Sequence, residues 1–364
     1  MCHGHYLTAV PLPPLIGHTA LRARLNEQVV RGTLAASILF TGPAGIGKQR
    51  LALWLGQRLL CDTPNADGPC GACPQCKYAV DGVHPDLFWI FPRVKGKNEP
   101  SDPDVDQVRE YYAEATAERL ADGGIYPRPD GSAGIFLAVS KAVVQRAVLL
   151  PAMARRKVIV VGDAERMVSQ AASAESANAF LKLLEEPPGD TTIILTSSEP
   201  GALLPTIRSR VVAMRVRALS DTDVREFLAL PATEALRKDR SIPDLVRAMH
   251  GAPGSLGDAD ARAAAVKRAT AMLDAVTRDH DRLYRVAYVQ GSAKSRGPFA
   301  DALDALSELL HQRARDAADN GDARTAANCA RAMVHVEQAK RDADRNAVPQ
   351  LVTHTLLAKL ADTL

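Results

Sequence analysis

The chain has 364 residues, of which 46% are hydrophobic, and its formal net charge is +3. This length predicts two or three domains, and the nearly balanced charge gives no electrostatic support for strong nucleic-acid binding by the chain alone. No run approaches the roughly 18 apolar residues of a membrane span, and residues 1–6 lack the cationic stretch and apolar core of a signal peptide. We therefore expect a cytoplasmic chain whose six cysteines are reduced thiols or metal ligands.

A glycine-rich loop follows the first strand-like apolar run. Residues 42–49 read GPAGIGKQ, come shortly after the apolar run 38–40 and precede a helical pattern that begins at Leu51. Strand, loop and helix in this order are the context of a phosphate-binding P-loop. The glycines let backbone N–H groups curl around a phosphate, while the helix N-terminus and Lys48 add positive potential.

The last position of this loop departs from the P-loop pattern. A Ser or Thr whose hydroxyl binds Mg²⁺ is expected there, but the residue is Gln49. The metal site is therefore incomplete, and the sequence leaves open whether ATP or ADP still binds. The residues assigned to this degenerate nucleotide site are Gly42, Gly45, Gly47, Lys48, Gln49 and Asp163.

Four of the six cysteines form a cluster with the spacing C-x8-C-x2-C-x2-C. Four thiolates suit tetrahedral Zn²⁺, and no open position is indicated, so the spacing predicts a structural zinc knuckle at 61–76. Sets of four cysteines also hold iron–sulfur clusters, so zinc and iron remain alternatives at this point. The predicted metal ligands are Cys61, Cys70, Cys73 and Cys76.

Strand and helix patterns alternate beyond the cysteines. Residues 157–161 and 192–196 are apolar runs typical of buried strands, and 173–186 predicts a helix that ends at two prolines. This alternation predicts a parallel α/β sheet. The Gly- and Pro-rich stretch 122–134 is interpreted as a surface insertion.

Asp163 follows the strand at 157–161 and matches the acid that orients Mg²⁺ in P-loop ATPases. It also suits a helix N-cap, and the two roles are compatible. In ATPases of the AAA+ type the next residue is a Glu that polarises the attacking water, but here it is Ala164. Glu165 comes one residue late, and on an extended backbone it would project away from the site unless the chain is kinked.

Strand patterns stop after about Met214, and the remainder is rich in Ala, Arg, Leu and Asp at helical spacing. We therefore predict an α/β class of fold with additional all-α parts. The predicted parts are an α/β domain at 1–214 that contains the knuckle, a small helical lid at 215–260, and an all-helical domain at 261–364.

Three strings resemble one known family. NAFLKLLEEPP at 178–188, SEP at 198–200 and LPTIRSR at 204–210 are similar to the bacterial clamp loader subunits of DNA polymerase III, which are AAA+ proteins. The resemblance runs from residue 16 to about 217 and is fainter beyond. It implies a P-loop domain with an inserted zinc knuckle, a lid and a C-terminal helical collar.

Three differences favour the delta-prime branch of that family over its motor branch, gamma or tau. Motor subunits have Ser or Thr where Gln49 stands, Glu where Ala164 stands, and Arg where Gly257 follows a Gly-Ser-Leu string. The resemblance therefore implies a non-motor, ATPase-deficient subunit. Such a subunit belongs to the DNA-directed DNA polymerase holoenzyme without having polymerase chemistry of its own.

The family's Ser-Arg-Cys motif appears here as Ser209-Arg210-Val211. In the family its Arg is a finger that reaches into the ATP site of the neighbouring subunit, a role that suits a permanently charged, fork-shaped group. The resemblance gives this catalytic role in trans to Arg210. Arg208 is the rival, and a local salt bridge is the alternative without function.

The implied partners are motor (gamma/tau) and delta subunits in a hetero-oligomeric ring, with the sliding clamp and primer–template DNA reached through the complex. The chain would then be a fixed part that stimulates hydrolysis during clamp loading. An active clamp loader ATPase of the gamma/tau type is the first alternative. A zinc-dependent DNA-binding module and a scaffold without a finger are the others.

Overall fold

A computed structural model describes residues 11–96, 99–100, 103–121, 124–125, 133–167, 175–237, 240–257, 259–276, 285–288, 296–344 and 347–364. The chain forms two compact units, Met1–Gly257 and Asp258–Leu364. Each unit has its own hydrophobic core.

A five-stranded parallel sheet lies at the centre of the first unit. Its strands are β1 (Ser37–Thr41), β2 (Leu87–Ile90), β3 (Lys157–Val161), β4 (Thr191–Ser197) and β5 (Val212–Arg215). They lie in the spatial order β2-β3-β4-β1-β5, and every neighbouring pair is parallel. The predicted parallel sheet is confirmed. Because all strands run the same way, the glycine-rich loop after β1 and Asp163 after β3 meet at one edge of the sheet.

Helices cover this sheet, so β3 and β4 are buried along their whole length. Burial on both faces explains why these strands read as continuous apolar runs rather than alternating ones. The helices are α1 (Thr19–Val30), α2 (Lys48–Leu60), α3 (Pro74–Val80), α4 (Val105–Ala121), α5 (Leu137–Val148), α6 (Glu175–Glu185) and α7 (Pro205–Arg208), and a 3₁₀ turn spans Ala164–Met167.

A small group of helices follows β5 and encloses its own core. It contains α8 (Asp221–Leu228), α9 (Glu234–Arg237) and α10 (Ile242–Met249), with 3₁₀ turns at Pro231–Thr233 and Pro253–Leu256. We name it the helical cap. Its buried apolar residues are Val224, Leu228, Leu245, Val246, Met249 and Leu256, joined by Ile125. The cap lies where the sequence predicts a lid.

The stretch 122–134, interpreted from the sequence as a surface insertion, contains a buried residue, Ile125. Within this stretch the structure describes only residues 124–125 and 133–134, and Ile125 is just 6% exposed. The described apolar side chains of this stretch are therefore buried, and one of them lies in the core of the cap.

All described elements of the second unit are helices. They are α11 (Ala259–Val276), a single turn at 285–288, α12 (Arg296–Asp319), α13 (Ala323–Asp344) and α14 (Pro349–Thr363). Cys329 lies in their core as a small apolar residue. None of the described helices combines the length and the hydropathy needed to cross a bilayer.

Asp86 ties the amino end of β2 to the segment before β3. Its carboxylate is buried and accepts hydrogen bonds from the backbone N–H groups of Ala152, Met153 and Ala154 at 2.6, 2.7 and 2.8 Å. Burial opposes the charged form, but these donors outweigh it and hold the pKa of Asp86 below its ordinary value.

We expect Asp86→Ala to lower the free energy of unfolding by about 2–4 kcal/mol, because three buried N–H groups lose their acceptor. The contribution of Asp86 is present above the ordinary carboxyl pKa of about 4 and is lost as the pH falls through the lower folded value. Urea unfolding at several pH values measures both effects. The exposed Asp319→Ala is the control, and equal stability of the two variants would contradict the assignment.

Candidate functional site

The backbone between β1 and α2 adopts a shape that requires glycine at three positions. Gly45 and Gly47 have left-handed φ angles of 76° and 90°. Gly42 has a φ of 152°, and a Cβ added to it would lie 2.4 Å from the carbonyl oxygen of Val216. The sequence pattern therefore marks a real geometric constraint, with Lys48 as the first residue of the following helix.

The Lys48 ammonium is turned toward the loop itself. Its Nζ donates to the carbonyl oxygens of Gly42 and Pro43 at 2.8 and 2.7 Å, and to Ser198 Oγ at 2.9 Å. Three donors meet three acceptors, so the buried charge is satisfied within the protein. Ser198 comes directly after β4, which lies between β1 and β3.

Gln49 bridges the loop and the acid. Its Nε2 donates to Asp163 Oδ2 at 2.9 Å, while its Oε1 accepts from Trp89 Nε1 at 3.1 Å and from the Arg119 guanidinium at 3.4 Å. In a P-loop that ends in Ser or Thr, a metal ion is held between that hydroxyl and the acid. The direct amide–carboxylate contact does not fit a Mg²⁺ ion between these positions.

The backbone of Asp163 has an unusual conformation that a hydrogen bond holds in place. Its φ is 46°, a left-handed value, and its N–H donates to Thr196 Oγ1 at 3.1 Å. Burial raises the pKa of Asp163, although the nearby cations Lys48 and Arg119 oppose this shift. A carboxylate here depends on its donors, and Gln49 is one of them.

The structure corrects the expectation that Glu165 projects away from this edge of the sheet. The left-handed turn at Asp163 and the 3₁₀ turn that follows end the strand alternation on which that expectation rests. Glu165 Oε1 instead accepts from the N–H of Ser198 at 3.0 Å. Burial and, to a smaller extent, the charge of Asp163 raise the pKa of Glu165.

The helical cap contacts the loop directly. The Gly254 N–H donates to the Gly45 carbonyl at 2.8 Å, and a Cβ added to Gly254 would lie 2.8 Å from Gly45 Cα. His18, just before α1, places its Nε2 2.8 Å from the Ile46 carbonyl oxygen. The carbonyl groups of the loop are therefore engaged by other parts of the same chain.

Sequence reasoning missed Trp89, Arg119, Ser198 and the actual position of Glu165. Arg119 is the clearest case, because it reaches Gln49 from 70 positions away. Its guanidinium also lies over the Phe91 and Trp89 rings, 3.3 and 5.4 Å from their centroids. No local motif marks such a residue, since only the packing of α4 brings it to the site.

The four clustered cysteines converge, as their spacing predicts. The ligand atoms of Cys61, Cys70, Cys73 and Cys76 all lie within 4.8 Å of one another. The Cys70–Cys76 and Cys61–Cys73 sulfur pairs are each 3.9 Å apart. Thiolates at about 2.3 Å from a tetrahedral zinc ion are about 3.8 Å apart, so the arrangement fits Zn²⁺.

Backbone hydrogen bonds to two of these sulfurs suit thiolates, although burial raises the pKa of Cys61 and Cys76. The Cys70 N–H donates to Cys61 Sγ at 3.3 Å, and the N–H groups of Ala72 and Cys73 donate to Cys70 Sγ. A hydrogen bond with the side chain of Thr63, together with these backbone donors, lowers the pKa of Cys70 to about 6.

The knuckle packs on the helix that begins at Lys48. A Cβ added to Gly68 would lie 2.7 Å from the ring of Trp54 on α2, so only glycine permits this approach. Arg58 on the same helix donates to Asn26, which in turn donates to the Ala66 carbonyl within the knuckle. The cysteine module is thereby fixed to both α1 and α2.

Arg210 lies two residues beyond the end of α7 and keeps part of its side chain in solvent, at 30% exposure. Its Nε donates to Glu185 Oε1 at 2.7 Å, its Nη2 forms an ion pair with the same carboxylate, and its Nη1 donates to the Thr206 carbonyl at 2.8 Å. The local salt bridge that the sequence offers as an alternative is thus present. Arg208 is exposed.

Comparison with known proteins places the chain in a family. Residues 17–220, more than half of the chain, match the family described as DNA polymerase III, delta subunit. The chain belongs to this family. It is 38% identical to the DNA polymerase III subunit delta' of Pseudomonas aeruginosa over 182 residues, which are 50% of this chain and 43% of that protein. The predicted resemblance to delta-prime clamp loader subunits is confirmed.

The chain is also similar to a second delta' subunit and to a gamma/tau subunit of DNA polymerase III. The delta' subunit of Escherichia coli is 29% identical over 219 residues, which cover 60% of this chain and 52% of that protein. The gamma/tau subunit of Mycobacterium tuberculosis is 27% identical over 241 residues, 66% of this chain and 34% of that protein. The chain thus spans about half the length of the delta' relatives.

We expect Cys73→Ser to reduce bound metal and to lower the thermal unfolding midpoint by several degrees, because metal binding at such sites contributes folding free energy. Elemental analysis of the purified chain measures the metal and separates zinc from iron. Cys329→Ala, at the buried cysteine outside the knuckle, should leave the metal content unchanged. Full metal retention in Cys73→Ser would exclude the four-cysteine site.

We expect Gln49→Ala to lower the free energy of unfolding by about 1–3 kcal/mol, because half-buried Asp163 loses a donor. Since the folded pKa of Asp163 is raised, the stability it provides below pH 4 or so is lost as the pH rises through the folded value. The deficit of the variant should therefore be larger at pH 8 than at pH 4 in urea unfolding. Gln312→Ala, on the exposed face of α12, is the control, and a pH-independent deficit would contradict this account.

Proposed function

We propose that this chain is a non-motor subunit of the DNA polymerase III clamp loader, which supplies Arg210 to the ATP site of a neighbouring motor subunit while the sliding clamp is loaded on primed DNA. Membership of the delta-subunit family supports a clamp loader role. The similarity to subunits named delta' and gamma/tau supports assembly with related chains.

The Gln49–Asp163 hydrogen bond is the observation that carries the non-motor part of the proposal. It fills the position between loop and acid with an amide, and Lys48 is engaged by acceptors of the same chain. Ala164 also lacks the carboxylate of an active site, and Glu165 beside it is bound to Ser198. Phosphoryl transfer depends on a positioned metal ion and a positioned water, so this site does not favour hydrolysis.

Arg210 has the chemistry that a finger requires. A guanidinium stays charged at all physiological pH values and forks onto phosphate oxygens. The side chain is partly exposed, and its partner Glu185 is 45% exposed, so separating this pair costs at most about 1 kcal/mol. A triphosphate presented by a neighbour would bear several negative charges against the single one of Glu185.

The other parts receive their roles from the same proposal. The helical cap acts as the lid, and the helical unit at 261–364 joins a collar with motor and delta subunits. The clamp and the primer–template DNA contact the complex as a whole in the cytoplasm. Zinc in the knuckle has a structural role only.

We expect Arg210→Ala to lower ATP turnover of the reconstituted complex, by more than about tenfold at the site next to this chain, because arginine fingers contribute at least that much. Complex formation, measured by size-exclusion chromatography, should be unaffected. Arg208→Ala is the matched control and should retain turnover. Unchanged turnover in Arg210→Ala, or a loss in Arg208→Ala alone, would reject the finger assignment.

The alternative of an active gamma/tau-type ATPase is separated by the purified chain alone. We expect no ATP hydrolysis above background in the presence of Mg²⁺. Turnover at ordinary enzymatic rates, on the order of 1 per second or more, would favour the motor alternative.

A further inference from the structure

The carboxyl end of α4 connects two places that the sequence keeps far apart. Within seven residues, Arg119 contacts the Gln49 amide at the loop and Ile125 enters the core of the helical cap. The N–H of Gly124 donates to the Arg119 carbonyl at 3.0 Å, and Gly124 has a left-handed φ of 72°. The Gly124 backbone is therefore in a conformation that favours glycine.

Arg119 anchors the helix to the sheet. Its guanidinium lies 3.3 Å from the centroid of the Phe91 ring and donates to Gln49 Oε1 at 3.4 Å. Tyr112, two turns earlier on the same face, donates its hydroxyl hydrogen to the Phe91 carbonyl at 2.8 Å. Stacked and hydrogen-bonded contacts of this kind hold α4 in one position relative to β2.

Ile125 anchors the following segment to the cap. It is 6% exposed and lies among apolar residues of α8, α10 and the last 3₁₀ turn. A Cβ added to Gly257 would lie 3.1 Å from Ile125 Cγ2, so the cap fits closely around this side chain. Withdrawal of Ile125 would leave a cavity in a core for which the described residues supply seven buried apolar members.

The same cap touches the glycine-rich loop through the Gly254–Gly45 hydrogen bond. The α/β part of the chain thus meets the cap at the loop and at Ile125, and also at Gly17, where an added Cβ would lie 3.0 Å from Asp223 of α8. These contacts are all made by groups of the same chain.

We propose that α4, Gly124 and Ile125 form a strap that holds the helical cap closed on the glycine-rich loop within the same chain. Closure of a lid ordinarily follows ligand binding, because the ligand supplies the contacts that favour the closed state. Here Ile125 supplies contacts of this kind from within the same chain, and Arg119 couples the strap to Gln49. This device goes beyond the proposed function and does not depend on Arg210.

Hydrogen exchange of the Gly254 amide in the full chain tests the strap, because this N–H exchanges when the cap leaves the loop. We expect Ile125→Ala to accelerate it at least about tenfold, since the cap loses a buried anchor. Exchange of the Ile194 amide in the central strand β4 should stay at its parent rate, which distinguishes local opening from global unfolding. Leu310→Ala, a similar truncation in the second unit, should leave Gly254 unchanged.

A second variant keeps the test decisive if Ile125→Ala folds poorly. Arg119→Met retains the length and apolar stem but removes the guanidinium, and we expect it to accelerate Gly254 exchange at least about threefold. Arg109→Met, on the exposed face of α4, is its matched control. Parent-like Gly254 exchange in folded Arg119→Met, or acceleration that only accompanies Ile194, would overturn the proposal. Loss of ATPase stimulation in Arg210→Ala has no bearing on this result.

Discussion

A half-buried carboxylate that needs hydrogen-bond donors, Asp163, is the constraint on which the site depends. Asp163 follows β3 in a left-handed turn, is partly shielded from solvent, and its charge requires compensation. A metal ion gives such compensation in an active P-loop, whereas here the amide of Gln49 gives it. The oxygen of the same amide accepts hydrogen bonds from Trp89 and Arg119.

Local chemistry was readable from the sequence, and long-range packing was not. The glycines of the loop and the four cysteines obey constraints set by residues close to them in the chain, so their spacing alone predicts their geometry. The buried strands also follow from continuous apolar runs. Arg119 and Ile125 carry no such mark, because their partners become neighbours only through the fold. Glu165 was misplaced because strand alternation ends at the kink of Asp163.

The glycine-rich loop with its acid and the residue Arg210 differ in how they are bound within this chain. The loop, its lysine and the acid hold one another: Lys48 binds loop carbonyls, and Gln49 binds Asp163. Arg210, by contrast, lies at the surface with one exposed ionic partner. The first group therefore contributes to the folding of its own chain, whereas the Arg210 guanidinium is partly in contact with solvent.

The chain contains two tryptophans, and each lies against one of the sites described above. The ring of Trp54 supports the close approach of Gly68 in the cysteine module, and the indole of Trp89 donates to Gln49. Intrinsic tryptophan fluorescence therefore reports on both regions, through Trp54 on the cysteine module and through Trp89 on the glycine-rich loop. Replacing either ring by Phe would leave the signal of the other, so both regions can be followed in real time without attached dyes.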